Sequence, residues 1–218
     1  MKSELEIVKG TTFSMAVFWE DRDNLLCFPI SAISLATGVP VLTVSNFELP
    51  TGWRGFVSLA EGMRQINAKN NPPMSDDWHV LKVLSSSSIE LNGVVPMDGG
   101  RKWPAYTGGG FLYVYAPMDM TDYTARMDVV DKLGGDGVVL ISSESDVAPK
   151  DVIDLVVEPL NNRVIITIDA ADTAALTFKR GVTDLELISS TGVVSKLKLT
   201  DTPDTEPDPV RVFGEATT

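Results

Sequence analysis

The sequence is short of cysteine and histidine, with one residue of each, Cys27 and His79. A single cysteine excludes an internal disulfide framework, and one His with one Cys cannot supply the usual ligands of a zinc site. The apolar neighbours of Cys27 favour an inert buried thiol over a nucleophile. His79 lies in an alternating apolar run, which favours a partly buried structural residue over a general base. We therefore expect no metal site and no cofactor.

Basic residues and long apolar runs are also scarce. The 18 lysine and arginine residues face 30 acidic ones, which gives a formal net charge of −12. This charge repels phosphate groups, so binding to nucleic acid or to an anionic membrane is not expected. No apolar run approaches the roughly 18 residues that a membrane span needs, and none near Met1 is typical of a signal peptide. A cytosol-like compartment is therefore expected.

The sequence does contain many short alternating or β-branched runs, which are typical of strands. Glu20–Asn24 is predicted as a polar turn, and the proline-rich, acidic stretch 202–209 as an extended arm. One helix is predicted at Asp169–Leu176, where alanines follow a capping Asp169. The strands are predicted at 5–10, 12–19, 39–44, 53–59, 78–84, 89–91, 111–115, 123–130, 138–141, 154–157, 163–168, 184–188 and 193–199. This pattern predicts an all-β fold built of sandwiches or small barrels.

Carboxylates are numerous, so pairs of them arise by chance. Asp76 and Asp77 stand beside Trp78 and could resemble the acid pair of a carbohydrate cleft. Adjacent residues of a strand point to opposite faces and cannot flank one bond, which favours a solvated loop. The acidic stretch 204–208 lacks the glycine and terminal glutamate of a calcium loop, which favours a solvated arm. We expect no catalytic residue, and hence no enzyme.

Aromatic residues offer the remaining candidates for a site. Trp53, Trp78, Trp103 and Tyr106 could form a sugar-stacking platform, although core or interface packing is the commoner use of such side chains. These four are the candidate interaction residues. The glycines at 108–110 precede a strand rather than a helix, so they predict a turn or bulge instead of a phosphate cradle.

The stretch D-M-T-D-Y-T-A-R-M at 119–127 resembles the D-L-T-G-Y-T-A-R-M signature of immunoglobulin-like modules in tailed-phage structural proteins. These include the amino-terminal module of upper baseplate proteins that carry receptor-binding proteins. The resemblance continues through 166–176, 184–187 and 192–197, in the family's order of strand, short turn, strand and hairpin. Asp122 stands where the family usually has glycine. Thr183 stands where the family usually has tyrosine, and the family's final strand has no clear counterpart in this sequence.

A second stretch, 29–111, is similar to a small β-barrel of phage proteins that is named after a domain of ubiquitin-activating enzyme. Its motifs are matched by L-P-T-G-W at 49–53, G-M-R-Q-I-N at 62–67, I-E-L-N-G-V at 89–94 and Y-T-G-G at 106–109. The resemblance implies no ubiquitin chemistry, because the module carries no catalytic residue.

The order of the motifs predicts an insertion. Immunoglobulin-like phage modules usually begin with a G-x-T-F-x-x-x-V strand just before the signature, and G-T-T-F-S-M-A-V at 10–17 supplies it. About ninety residues intervene here before the signature. We therefore expect residues 1–28 and 111–212 to form a discontinuous immunoglobulin-like β-sandwich, 29–110 an inserted small β-barrel, and 213–218 a flexible C-terminal tail.

Together the resemblances imply a non-enzymatic structural subunit of a tailed-phage particle, at the tail, collar or baseplate. It would attach fibres or form a ring, with other virion proteins as partners and several identical copies per particle. The virion, assembled in the bacterial cytoplasm, is its expected location. The alternatives are a capsid decoration protein and a receptor-binding protein that holds host glycan on Trp53, Trp78 and Trp103. A cell-wall hydrolase is the least favoured alternative.

Overall fold

The computed structural model describes residues 4–132, 137–144, 152–197, 199 and 208–214. Strands account for most of these residues, so the prediction of an all-β chain is confirmed. The strands are β1 Leu5–Val8, β2 Phe13–Phe18, β3 Glu20–Pro29, β4 Ala32–Ser34, β5 Val41–Thr43, β6 Arg54–Glu61, β7 His79–Ser85, β8 Ser88–Leu91, β9 Met97–Asp98, β10 Arg101–Lys102, β11 Gly108–Pro117, β12 Thr124–Val130, β13 Val139–Ser142, β14 Asp154–Glu158, β15 Arg163–Ile168, β16 Arg180–Ile188, β17 Val194–Leu197 and β18 Asp208–Phe213. The α-helix α1 spans Ala170–Ala175, and 3₁₀ turns lie at Arg64–Ile66, Ser75–Asp77 and Pro159–Asn161.

The chain divides into two compact units. The split unit combines Met1–Trp19 with Asp119–Thr218, and the contiguous unit is Glu20–Met118. The expected boundaries at 28/29 and 110/111 would assign β3 and β11 to the split unit. The structure places both strands in the contiguous unit, because β11 pairs along its length with β3 and also pairs with β6.

The split unit has two sheets around one apolar core, the arrangement of a β-sandwich. The larger sheet has the order β1-β18-β16-β12-β13, with β17 also paired to β16, and the smaller has the order β14-β15-β2. Alternate residues of β15 and β16 are buried because successive side chains of a strand point to opposite faces. Both sheets contribute to the core, which includes Val17, Met127, Val129, Val164, Ile166, Ile168, Leu185, Leu187 and Val210.

The last strand corrects the end of the predicted acidic arm, at 208–209, and the start of the predicted flexible tail, at 213. β18 lies between β1 and β16 and includes both Pro209 and Phe213. Val212 N–H donates to the Lys179 carbonyl, so by alternation the backbone of Pro209 points away from β16. Pairing with β1 begins only at Val210, so the N–H that proline lacks is not needed there. Residues 202–207 and 215–218 lie outside the described residues.

The short helix α1 forms where it was predicted, but the predicted capping hydrogen bond at its start is not made. Asp169 occupies the N-cap position without a capping hydrogen bond from its side chain. Thr173 of α1 is fully buried, and its hydroxyl lies 2.8 Å from the Thr11 carbonyl oxygen and 3.0 Å from that of Ala170. The helix is therefore held to the rest of the split unit by a buried threonine.

The contiguous unit is built on one sheet with the order β3-β11-β6-β7-β8-β5-β4. β3 and β4 are separated by only Ile30 and Ser31. The backbone N–H groups of these two residues donate to different strands. Ile30 N–H donates to Gly110 O at 3.0 Å, and Ser31 N–H donates to Thr43 O at 2.9 Å. The sheet therefore begins and ends on a single bent segment, 20–34. The predicted turn at Glu20–Asn24 is wrong, because these residues belong to β3.

Candidate binding surface

Five aromatic rings line the outer face of the contiguous unit's sheet, and we call this set the outer aromatic face. Phe111 lies 6.1 Å from Tyr113, and Tyr113 stacks on Phe56 with ring centroids 5.1 Å apart. Phe56 meets Trp78 edge-on at 5.0 Å, and Trp78 stacks on Tyr115 at 5.1 Å. The rings form one connected set on β11, on β6 and just before β7, and such pairs add to the stability gained by burial alone.

The alternation of β11 creates this face. Leu112 and Val114 are fully buried in the core, which places Phe111, Tyr113 and Tyr115 on the opposite side of the strand. All three outer rings are partly buried. A strand that carries aromatic residues on its outer side and aliphatic residues on its inner side gains stability from both faces.

An ion pair stands at one end of the outer aromatic face. The Arg54 guanidinium donates Nε to Glu20 at 3.2 Å and a terminal nitrogen to the other Glu20 oxygen at 2.9 Å. This bidentate geometry fixes the guanidinium, which lies 5.9 Å from the centre of the Trp78 ring. The arginine charge is thereby paired within the unit.

Exposed apolar side chains extend the face towards solvent. Leu25 lies opposite Tyr115 in the sheet and is 45% exposed, and Val80 lies opposite Arg54 and is 43% exposed. Cys27 lies opposite Tyr113 and is also exposed. Contiguous exposed apolar surface is typical of interaction sites.

The exposure of Cys27 corrects the prediction of a buried thiol. Its neighbours in sequence are apolar, but β3 is the terminal strand of the sheet order, and its burial pattern is mostly exposed. Burial raises the pKa of the Tyr113 hydroxyl, and a hydrogen bond with Cys27 raises it further. The thiol therefore borders the outer aromatic face instead of the core.

Two of the four predicted interaction residues, Trp53 and Trp78, differ in burial. Trp53 is fully buried and donates its Nε1 proton to the Tyr115 carbonyl at 2.9 Å, which matches the core packing weighed for it and leaves no exposed ring to stack on a sugar. Its bulk fills the core beneath the sheet. Trp78 is partly buried and belongs to the outer aromatic face.

The other two, Trp103 and Tyr106, are partly buried and lie outside the ring contacts of the outer aromatic face among the described residues. The Trp103 N–H donates to the Pro96 carbonyl at 3.0 Å. The Tyr106 hydroxyl lies 2.9 Å from Ile30 O and 2.7 Å from Gly109 O, and burial raises its pKa. Tyr106 therefore fastens the start of β11 to the bent segment.

Asp77 holds a loop together, which corrects the solvated-loop interpretation for this residue. It is buried, and its carboxylate accepts the N–H of Lys69 at 2.7 Å, of Asn70 at 3.2 Å and of Met74 at 3.0 Å. The Asn70 side-chain amide donates a fourth bond at 2.9 Å. Burial alone would raise the pKa of Asp77, but these four bonds to the charged form outweigh it and lower the pKa. Burial also lowers the pKa of the neighbouring His79, against the opposing charge of Asp77.

Asp77 makes the stability of the contiguous unit depend on pH. Its carboxyl pKa is depressed below 3.8 in the folded state, so its contribution is complete above that value and is lost as the pH falls through the folded pKa. We expect Asp77→Asn to weaken the unit at pH 7 and to remove this part of the acid dependence. Denaturant midpoints between pH 7 and pH 3 measure both effects. Asp76→Asn, at an exposed neighbour, is the matched control, and equal profiles for the two variants would contradict the prediction.

A groove of about 360 Å³ lies on the outer face of the split unit's larger sheet. Arg126 donates to Glu186 at 2.7 Å, and Lys196 bonds to Asp184. The hydrogen bond to Glu186 raises the pKa of Arg126. Asp128 lies directly opposite Asp184, and its Oδ1 is buried with no hydrogen-bond partner among the described residues. Ion pairs of this exposed kind contribute little each, about 0–1 kcal/mol.

The described ranges hold neither a cluster of metal ligands nor a membrane-spanning helix. Within them, no group of three or more His, Cys, Asp or Glu side chains is placed to hold a metal ion. No helix in the same ranges has the length and apolar character to cross a membrane.

The residues of the outer aromatic face were mostly missed at the level of sequence. The sequence predicts Trp78 as an interaction residue, but it does not predict that role for Phe56 or for the three aromatic residues of β11. The spacing of aromatic residues at 111, 113 and 115 was the available signal, because residues two apart share one face of a strand. No model of a protein family matches this chain, and no curated protein does either.

Proposed function

We propose that this chain is a structural subunit of a tailed-bacteriophage particle, at the tail, collar or baseplate, that binds neighbouring virion proteins. The observation that carries the proposal is the outer aromatic face, a rigid row of packed rings bordered by exposed Leu25 and Val80. Aromatic side chains on a fixed sheet are well suited to protein interfaces, because little side-chain entropy is lost on binding. The subunit holds its partners and performs no catalysis.

The immunoglobulin-like assignment of the split unit is part of the proposal, and the placement of the motifs supports it. The 119–127 signature runs through a turn into β12, and the later motifs fall on β15 with α1, on β16 and on β17. Asp122, which replaces the family's glycine, has φ = 61°. That left-handed conformation favours glycine and is tolerated by aspartate, which accounts for both residues at this position.

The barrel-like assignment of the contiguous unit has similar support. The L-P-T-G-W motif leads into β6, G-M-R-Q-I-N contains the 3₁₀ turn Arg64–Ile66, and Y-T-G-G leads into β11. The bent segment 20–34 bonds to β11 at one end and to β5 at the other, as a strand does when it closes a small barrel. The contiguous unit lies in sequence between the two parts of the split unit.

Detection in purified particles tests the proposed role. Tailed particles from cultures that produce this chain should contain it in several copies, at a fixed position when labelled with antibody and viewed by electron microscopy. Val80→Glu, an exposed change bordering the outer aromatic face, should reduce incorporation without lowering the melting temperature. Leu160→Glu, at a 98% exposed site in the split unit, is the matched control.

Three results would contradict the proposal. One is the absence of the chain from particles whose lysate contains it, and another is normal incorporation of Val80→Glu. The third is a clear zone on a zymogram of bacterial cell wall, which would favour a hydrolase. Binding to a host glycan array by the isolated protein would favour the receptor-binding alternative.

A further inference from the structure

The outward side of β3 presents backbone groups that no described strand covers. Ile30 N–H donates to Gly110 O, so in the antiparallel ladder Phe28 and Leu26 also direct their backbone groups to β11. By alternation, Leu25, Cys27 and Pro29 direct theirs away from it. The outward side therefore offers two N–H donors and three carbonyl acceptors, and Pro29 loses no bond to β11 through its missing N–H.

The course of β5 leaves this row open. β5 pairs with β4 as far as Thr43, and Ser31 donates to the Thr43 carbonyl. The next residue, Val44, donates instead to Ser87, so the chain turns away before it reaches Pro29. Leu25 and Cys27 remain exposed as a result. Among the described residues, the line of β5 ends where a further strand could continue it.

The two halves of β3 are protected to different degrees. Natural edge strands avoid unwanted pairing through charged residues and bulges. The first half has both, because Asp21, Arg22 and Asp23 are charged and the register with β11 shifts between Leu25 and Asp21. The second half, Leu25–Pro29, has no charged residue, and its one blocking residue is the proline at its end. Leu25–Phe28 is therefore the less protected part of the strand.

We propose that the Leu25–Pro29 edge of β3 accepts an extended segment of a partner protein as an added strand, with basic residues of that segment near Asp21 and Asp23. Main-chain hydrogen bonds would provide affinity, as in other cases of β-strand addition. Side chains of the added strand would pack beside Leu25 and Cys27. This inference rests on the proposed role as a binding subunit and names the place and chemistry of one contact.

Charge favours a basic partner over a second copy of the chain. Each copy carries a net charge of −12, so two copies repel. An antiparallel pair of β3 strands centred on Cys27 would also place the Leu25 carbonyl against Pro29, which has no N–H to donate. A segment rich in lysine or arginine meets neither obstacle.

A labelled peptide tests the proposal with the full chain. The probe is a short amidated peptide of alternating valine and threonine, flanked at both ends by lysine pairs, and its binding is followed by fluorescence anisotropy. We expect it to bind at least about tenfold more tightly than the same peptide with glutamate pairs. Methylation of alternate backbone nitrogens should weaken it by a similar factor, because donors to the β3 carbonyls are lost.

Two variants locate the binding. Cys27→Pro removes an outward N–H that makes no bond to β11, and we expect it to weaken peptide binding about tenfold. Cys27→Ser keeps the N–H and should bind as the native chain does, which separates the backbone from the thiol. If Cys27→Pro lowers the melting temperature, Cys27→Lys, which adds an edge charge, replaces it.

Several results would overturn the inference. These are equal binding of the three peptides, no binding of the lysine peptide, unchanged binding by the edge variants, or a stable dimer in the ultracentrifuge that the edge variants abolish. None of them bears on whether the chain is found in particles. A negative result with the peptides therefore does not contradict the proposed role, which is tested separately by detection of the chain in particles.

Discussion

Replacing Gly62 with alanine is expected to destabilise the contiguous unit by on the order of 4 kcal/mol. Gly62 has φ = +77°, and a Cβ built there would lie 2.2 Å from the Ala105 carbonyl oxygen and 2.8 Å from the Thr107 backbone nitrogen. Thr107 N–H also donates to the Glu61 carbonyl at 3.0 Å, so this segment is bonded beside the glycine. The clash involves backbone rather than a flexible side chain, and relief requires the two segments to separate.

Gly93→Ala separates the clash from the backbone conformation. Gly93 has φ = +75°, nearly the same as Gly62, but a Cβ there meets nothing within 4 Å. Gly93→Ala should lower the free energy of unfolding by only about 1–2 kcal/mol, which is the strain of alanine in the left-handed region. Tryptophan fluorescence during denaturant unfolding measures both, because Trp53, Trp78 and Trp103 lie in the contiguous unit. An equal loss of unfolding free energy in the two variants would show that the predicted clash at Gly62 is absent.

Truncation of Trp53 should be the second most damaging change. The side chain is fully buried, and loss of a large aromatic side chain from a core costs about 3–5 kcal/mol. We expect Trp53→Ala to unfold the contiguous unit at a much lower denaturant concentration. Trp53→Phe keeps most of the apolar bulk but leaves the Tyr115 carbonyl without the indole N–H, at a cost of about 1–3 kcal/mol.

Trp103→Ala serves as the comparison for Trp53. Trp103 is partly buried and makes no ring contact within the described residues, so its removal should cost clearly less. Amide hydrogen exchange of β6 and β11 is the measurement, because Trp53 precedes β6 and bonds to β11. Exchange protection in Trp53→Ala equal to that of the native chain would refute the central position assigned to this residue.

Strands rich in aromatic or β-branched residues were predictable because their composition is a local signal. The runs of β11 and β15 are of this kind, so both strands could be found from sequence. β3 shows the limit of this reasoning. Its first residues, Glu20–Asn24, are polar and predict a turn, yet Glu20 and Asp21 pair with β11 and the strand runs through all five. Long-range pairing cannot be read from such a run.

Burial was harder to predict than strand position. Cys27 and Trp53 both lie in or beside apolar runs, but one borders an open edge and the other lies beneath a sheet. The difference depends on the order of strands in the sheet, which local patterns do not determine. The outer aromatic face was only partly predictable for the same reason, because Phe56 meets Tyr113 through the register of β6 with β11.

The parallel pairing of β1 with β18 has a consequence for synthesis on the ribosome. β1 is translated about two hundred residues before its described partner, β18. The strands of the contiguous unit are all encoded between the two, and its sequence is complete at Met118, well before β18 is made. Vectorial synthesis therefore allows the contiguous unit to fold before β18 is available to complete the larger sheet of the split unit.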